Sequence, residues 1–151
     1  MNDYKITDVA NWFLTKENMS HKKLQKLCYY AVAWGYALLD RPICNDDEFQ
    51  AWIHGPVSPV LYEKYKGTGW QEHLPDDAYQ DNFGSATEDV LDSVWLTYGE
   101  QTGNSLEALT HSELPWIKAR GNCAVNEKCA NTISVDDMKE YYRSIYSGGD
   151  A

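Results

Sequence analysis

Four histidines, His21, His54, His73 and His111, are the side chains of this 151-residue chain suited to moving protons near neutral pH, and 23 carboxylates could partner them. Nucleophilic or metal chemistry would fall to four cysteines, Cys28, Cys44, Cys123 and Cys129. Neither set stands in a spacing that such chemistry requires. There is no His-Glu-x-x-His pair, no Gly-x-Ser-x-Gly nucleophile turn and no Gly-rich phosphate loop. No Cys-x-x-Cys occurs, and five residues separate Cys123 from Cys129, a weak metal spacing. Cys28 falls in an apolar helical run and reads as a small core residue. The sequence therefore points away from an enzyme and names no cofactor and no metal ligand.

Two irregular, aromatic blocks carry more information. One is Trp52-Ile53-His54-Gly55-Pro56-Val57-Ser58-Pro59; the other is Leu109-Thr110-His111 with Pro115-Trp116. Gly and Pro fix turns, and a rigid turn can display His and Trp as recognition groups, since large rings anchor interfaces at low entropic cost. The plainer alternative is that both Trp side chains simply fill the core. The candidate protein-binding residues are thus Trp52, His54, Gly55, Pro56, Val57, His111 and Trp116.

The elements that must position them are mostly helical. Thr7-Asp8 opens a first helix ending near Lys16, with Val9, Trp12 and Phe13 on one face. Ser20 caps a longer helix over His21–Leu39, closed by Arg41-Pro42. Its stripe of Leu24, Leu27, Cys28, Ala31, Trp34 and Leu38 is joined by apolar residues on the other faces, which predicts a buried central helix. Alternation over Phe49–His54 predicts a short strand turned by Gly55-Pro56-Val57. Ser58-Pro59 starts a helix to about Tyr65, and Gly67 to Gly84 reads as a loop. Ser85 with Glu88 caps a helix to about Tyr98, and Asn104 with Glu107 caps another. Glu113–Arg120 is a short helix stopped by Gly121. Ser134 caps the last helix, Ile133 staples onto Met138, and Val135, Met138, Tyr141, Tyr142 and Ile145 form its inner face. The expected fold is mainly α, α+β at most: six to seven helices around a central buried helix, with a small β element near residues 49–54, in one domain over 1–151.

Charge is confined to one region. The net charge is −10, yet Gly67–Ile117 contains ten acids and no Lys or Arg, so the remaining residues sum to zero. Such a field repels nucleic acid and anionic membranes and attracts basic proteins, although acidity also serves solubility alone. Lys22, Lys23 and Lys26 form the one small basic cluster that runs against this. No run is long and apolar enough to span a membrane, and Met1–Lys5 lacks the layout of a secretory leader, so a cytoplasmic protein with reduced thiols is expected.

The order of the blocks resembles the Panacea domain family, the SocA-like and GepA-like phage-associated group. The resemblance is carried by Ala10-Asn11-Trp12-Phe13-Leu14, by Lys23-Leu24-Gln25-Lys26-Leu27-Cys28-Tyr29-Tyr30, by Phe49-Gln50-Ala51-Trp52-Ile53-His54-Gly55-Pro56-Val57 leading to Tyr62, and by Leu109-Thr110-His111 with Pro115-Trp116-Ile117-Lys118-Ala119-Arg120. It covers about Asp8 to Tyr142. The resemblance implies a compact helical domain without established catalytic residues. It also implies a prophage- or plasmid-associated antitoxin that neutralises a cognate toxin by contact, or an adaptor that presents the toxin to a protease. Many members carry segments beyond the core, and this chain is expected to have essentially none. Two other readings stand beside it: an acidic DNA mimic that blocks a nucleic-acid-binding host protein, and a small enzyme using His54 or His111.

Overall fold

The computed structural model describes residues 3–149; the expectations that involve Met1, Asn2, Asp150 and Ala151 lie outside the described residues. Among the described residues six helices surround a long central one. The helices are α1 (Ile6–Lys16), α2 (His21–Leu39), α3 (Pro59–Tyr65), α4 (Ser85–Tyr98), α5 (Gly103–His111), α6 (Leu114–Arg120) and α7 (Val135–Gly149), so α2 and six others make the set. Four short strands, β1 (Met19–Ser20), β2 (Gln50–Trp52), β3 (Gly55–Val57) and β4 (Glu72–His73), form two antiparallel pairs.

Local chemistry accounts for the helix ends. Ser20, Ser58 and Ser134 each accept a backbone N–H, from Lys23, Leu61 and Asp137, as caps should. Three caps differ from expectation. The first helix starts one residue early, at Ile6, because the Asp8 carboxylate accepts the Lys5 N–H at 2.9 Å. In α4 the cap is Gly84, and Glu88 instead accepts from Trp12 Nε1 at 3.3 Å. In α5 the cap is Thr102, whose hydroxyl accepts from Ser105 N at 3.0 Å. The second helix stops at Asp40, which turns left-handed at φ 56, one residue before Arg41-Pro42.

Every residue from Leu24 to Ala33 is buried, since α1, α4, α5 and α7 cover α2 on all sides. Gly35 lets the following loop close over it: a Cβ there would lie 2.6 Å from Ile43 Cγ2. Ile133 and Met138 are both buried, consistent with the staple. The expected stripes overreach at their ends. Val135 and Ile145 of α7 are about two-fifths exposed, and so is Leu38, which lines a shallow groove with Trp34 and Tyr146. The segment from Gly67 to Gly84 is a loop except that Glu72-His73 pairs with Met19-Ser20. No helix among the described residues is long and apolar enough to cross a membrane.

The hairpin departs most from the sequence reading. The turn is Ile53-His54, and Gly55-Pro56-Val57 is the return strand, in the register Gln50↔Val57, Ala51↔Pro56, Trp52↔Gly55. Gly55 makes this fit with a φ of 103° that side-chain-bearing residues rarely adopt. Pro56 is tolerated because the Ala51–Pro56 pair turns its backbone groups away from the partner strand. Ala51 N–H accordingly bonds Asn131 O at 2.9 Å, and Gln50 bridges to Thr132, so residues 131–133 run along the free edge of β2.

Candidate protein-binding site

Two buried polar side chains of α2 hold the return strand. Lys26 and Gln25 are each 2% exposed. Lys26 Nζ donates to Pro56 O at 3.1 Å, one of the carbonyls that the strand pairing leaves over. Gln25 grips Ser58 from both sides, accepting from its N–H at 2.8 Å and donating to its carbonyl at 3.2 Å. Burial lowers the Lys26 pKa to about 7, against the partial opposition of Glu107. A Cβ on Gly55 would sit 2.8 Å from Lys26 Cε and 3.0 Å from Thr110 Oγ1.

Helix α6 holds the other strand. Trp116 Nε1 donates to Trp52 O at 2.9 Å, and Arg120 donates to Ala51 O at 3.2 Å. The same guanidinium lies over the Trp116 ring and donates to the carbonyls of Ala124, Val125 (3.3 Å) and Glu127 (2.9 Å). A single buried Arg thus ties the 124–127 loop to the hairpin. The His111 ring packs on Trp116 at 4.2 Å between centroids and hydrogen-bonds the Ile53 backbone. Burial holds its pKa below the usual histidine value, so the ring is neutral at pH 7.

At the tip, His54 is 70% exposed and its Nδ1 lies 3.0 Å from Glu107, whose other oxygen takes Lys22 at 2.6 Å. Burial pushes Glu107 upward, but hydrogen bonds from Lys22 and His54 outweigh it and hold the carboxyl below its usual range. Beside the hairpin lies a groove of about 500 Å³. Trp52, Ile53, His54 and Val57 line it, with Tyr62 packed edge-on against Trp52 at 4.8 Å. Lys128, Cys129 and Ala130 supply a wall from a distant segment of the chain.

All seven residues singled out by sequence converge here. Trp52, His54 and Val57 line the groove; Gly55 and Pro56 are buried beneath it; Trp116 and His111 stand behind it as supports. Trp52 is only half-buried, whereas Trp116 is 9% exposed and belongs to the core, as the plainer reading of that residue had it. Sequence reasoning missed Lys26, Gln25, Arg120, Glu107 and the 128–130 wall. The signal for the first two was present: a Gln-Lys pair inside a helix that is otherwise apolar must spend its polar ends on something buried.

The charged groups sort differently from expectation. Lys22 pairs with Glu107, Lys23 donates to Glu17 and to Gly99 O, and Lys26 is buried, so the basic cluster is internally committed. Three of the ten acids of the middle segment also turn at least partly inward: Glu113 is buried, Glu107 pairs with Lys22, and Glu88 accepts from Trp12, while Asp76 pairs with Lys64 at the surface. Asp89, Asp92 and Glu100 stay exposed on and just after α4, around Leu96, which is 84% exposed. Neither His54 nor His111 hydrogen-bonds a hydroxyl or thiol among the described residues, and no three metal-ligating side chains gather there.

The model of the family described as "Antitoxin SocA-like, Panacea domain" matches residues 24–117, from α2 into α6. Among curated proteins the chain is similar to "Antitoxin SocA" of Caulobacter vibrioides (strain NA1000 / CB15N), at 32% identity over 128 aligned residues that take in 72% of this chain. The alignment covers 66% of that relative, just under two thirds of its length. No solved structure gives a significant match. The matched residues include the hairpin, His111 and Trp116 but stop before Arg120 and the 128–130 wall.

Proposed function

This chain belongs to the SocA-like Panacea antitoxin family, and from that premise we propose that it neutralises a toxin by direct contact, with the groove beside β2–β3 as the contact site. The observation that carries this reading is the gathering of the seven residues in and around one largely apolar groove with a polar tip. Its features are those of an interface anchor: a half-buried Trp, an aromatic neighbour at 4.8 Å, and polar edges supplied by Lys128 and by His54, which Glu107 holds from outside the groove. A neutral His111 packed on Trp116, without a nucleophile beside it, supports recognition rather than catalysis. Residues 1–151 act as one Panacea-like domain, in the cytoplasm, and take a toxin or other basic protein as partner. The exposed acids on α4 support a basic partner better than DNA mimicry, because Glu113 is buried and Glu107 and Glu88 are tied to Lys22 and Trp12.

Co-expression with the product of the neighbouring gene tests this. Rescue of growth with a copurifying complex is expected, lost in Trp52→Ala; no rescue and no complex overturns it. If the acids steer encounter, association slows as ionic strength rises, and a flat on-rate removes them from the mechanism. Neutralisation by delivery to a protease would instead shorten the partner's half-life on co-expression.

A further inference from the structure

We propose that Cys123 and Cys129 form a peroxide-sensitive dithiol whose closure to a disulfide remodels the wall of the groove. Beyond Gly121 the chain folds into a tight loop. Cys123 N–H donates to Arg120 O at 2.8 Å, Ala124 N–H to the Glu127 carboxylate at 3.0 Å, and Asn131 Nδ2 to Ala119 O at 2.9 Å. With Arg120 gripping three carbonyls of 124–127, the loop folds back on itself: Asn131 Nδ2 lies 3.9 Å from Cys123 Sγ, and the Cys123 and Cys129 side chains come within reach of each other.

The two sulfurs are not equivalent. Burial works against a thiolate at Cys129, but the Cys123 thiol, the Asn131 N–H and the Arg120 guanidinium outweigh it and bring the pKa below the usual thiol value. Cys123 is held above it. Cys129 also lines the groove, which opens a path for a small oxidant. Cys28 and Cys44, by contrast, are fully buried with raised pKa values, and both are inert by the same reasoning.

The chemistry balances with a hydroperoxide as oxidant. The Cys129 thiolate attacks one peroxide oxygen, the O–O bond breaks, and the departing oxygen leaves as water or alcohol after taking a proton. The resulting Cys129 sulfenic acid is attacked by Cys123; the S–S bond forms, the S–O bond breaks, and the hydroxide leaves with the Cys123 proton as water. Two thiols lose two electrons and the peroxide gains them. The bridge would draw the Cys129 side chain out of the groove and close the loop over 123–129. That consequence for binding rests on the groove being the contact site; the thiol chemistry does not.

The test is hydrogen peroxide added to the full chain, followed by alkylation and peptide mass analysis. Expected are one internal 123–129 link, lighter by two hydrogens, with Cys28 and Cys44 alkylated only after unfolding. In the untreated protein Cys129, although only 8% exposed, should alkylate faster than the more exposed Cys123 at pH 7. Cys123→Ser should leave a sulfenic acid on Cys129 that a 1,3-diketone traps. Absence of the internal link, or an untrapped Cys129 in Cys123→Ser, overturns the proposal. A second arm measures the neighbouring gene's product on reduced and oxidised protein. About tenfold weaker binding after oxidation, restored by dithiothreitol, is expected. Equal affinity with the link formed overturns the remodelling. No binding in either state, with the link formed, counts against the proposed function and leaves the dithiol standing.

Discussion

Lys26 and Tyr30 lie one turn apart on α2 and both are buried, yet their polar ends are used in different ways. Tyr30 OH donates to the Glu113 carboxylate at 2.8 Å; Tyr142 OH donates to the same oxygen at 2.8 Å and lies 3.2 Å from Tyr29 OH. The Tyr30 ring also stacks on Tyr98 at 4.0 Å. That cluster is side chain to side chain, and it locks α2, α6 and α7 together. Lys26, with Gln25 and Arg120, instead holds backbone carbonyls of the hairpin and its neighbouring loop. A strand pair three residues long cannot satisfy its own outward backbone groups, and a helix core can lend side chains to do so. The first cluster sustains the bundle; the second shapes an irregular site on it.

The largest effect should come from breaking the tyrosine cluster. Glu113→Ala leaves two buried hydroxyls without their acceptor and should cost about 3 kcal/mol, read as a lower denaturation midpoint. Gly55→Ala attacks the other region. Positive φ and contacts of 2.8 and 3.0 Å should cost about 2 kcal/mol and speed amide exchange in Gln50–Val57 first, leaving the Tyr30–Glu113–Tyr142 region protected. An unfolding midpoint unchanged from the parent would sink that assignment of Gly55.

The two clusters should also differ in the sign of their pH dependence. Burial raises the Glu113 carboxyl despite hydrogen bonds from Tyr142 and Tyr30. The folded state therefore holds the proton more tightly, and stability is lost as pH climbs from 4.5 through the raised value; Glu113→Gln removes that slope. Lys26 behaves oppositely. Its folded pKa of about 7 lies below 10.5, so the unfolded chain binds more protons between these values and stability rises with pH across that window. Lys26→Met should flatten the rise; identical slopes in parent and variant would refute the buried amine's role. The smallest effect on folding belongs to His54→Ala. The ring is exposed, so stability should change by less than about 0.5 kcal/mol, while affinity for the neighbouring gene's product falls about tenfold.

How much of this was legible in sequence varies by element length. Helices of two or more turns repeat their apolar pattern often enough to be read, and Ser20, Ser58 and Ser134 cap where their type predicts. Two- and three-residue strands leave too few positions for a period. Gly55-Pro56-Val57 was misread as a turn because Gly and Pro are local turn signals, whereas the true turn, Ile53-His54, has no such chemistry. Thr102 rather than Asn104 caps α5 because helix starts are set within a residue or two by tertiary contacts; Asn104 and Glu107 both turn to Lys22. In the site, the aromatic blocks were visible, but the wall at 128–130 was not, since nothing local tells a polar loop that it will lie against a hairpin some 75 residues earlier in the chain.

By itself, then, the sequence determined the helical class, the central place of α2 and the family, because apolar periodicity and ordered motifs are properties of neighbouring residues. It also determined which residue types could recognise a partner. Only the tertiary structure decided that these residues gather in and around one groove, that Lys26 and Arg120 serve the backbone rather than solvent, and that Cys123 comes within reach of Cys129. Those outcomes depend on which buried carbonyls remain unpaired once the helices have packed, and that need exists only in the folded chain.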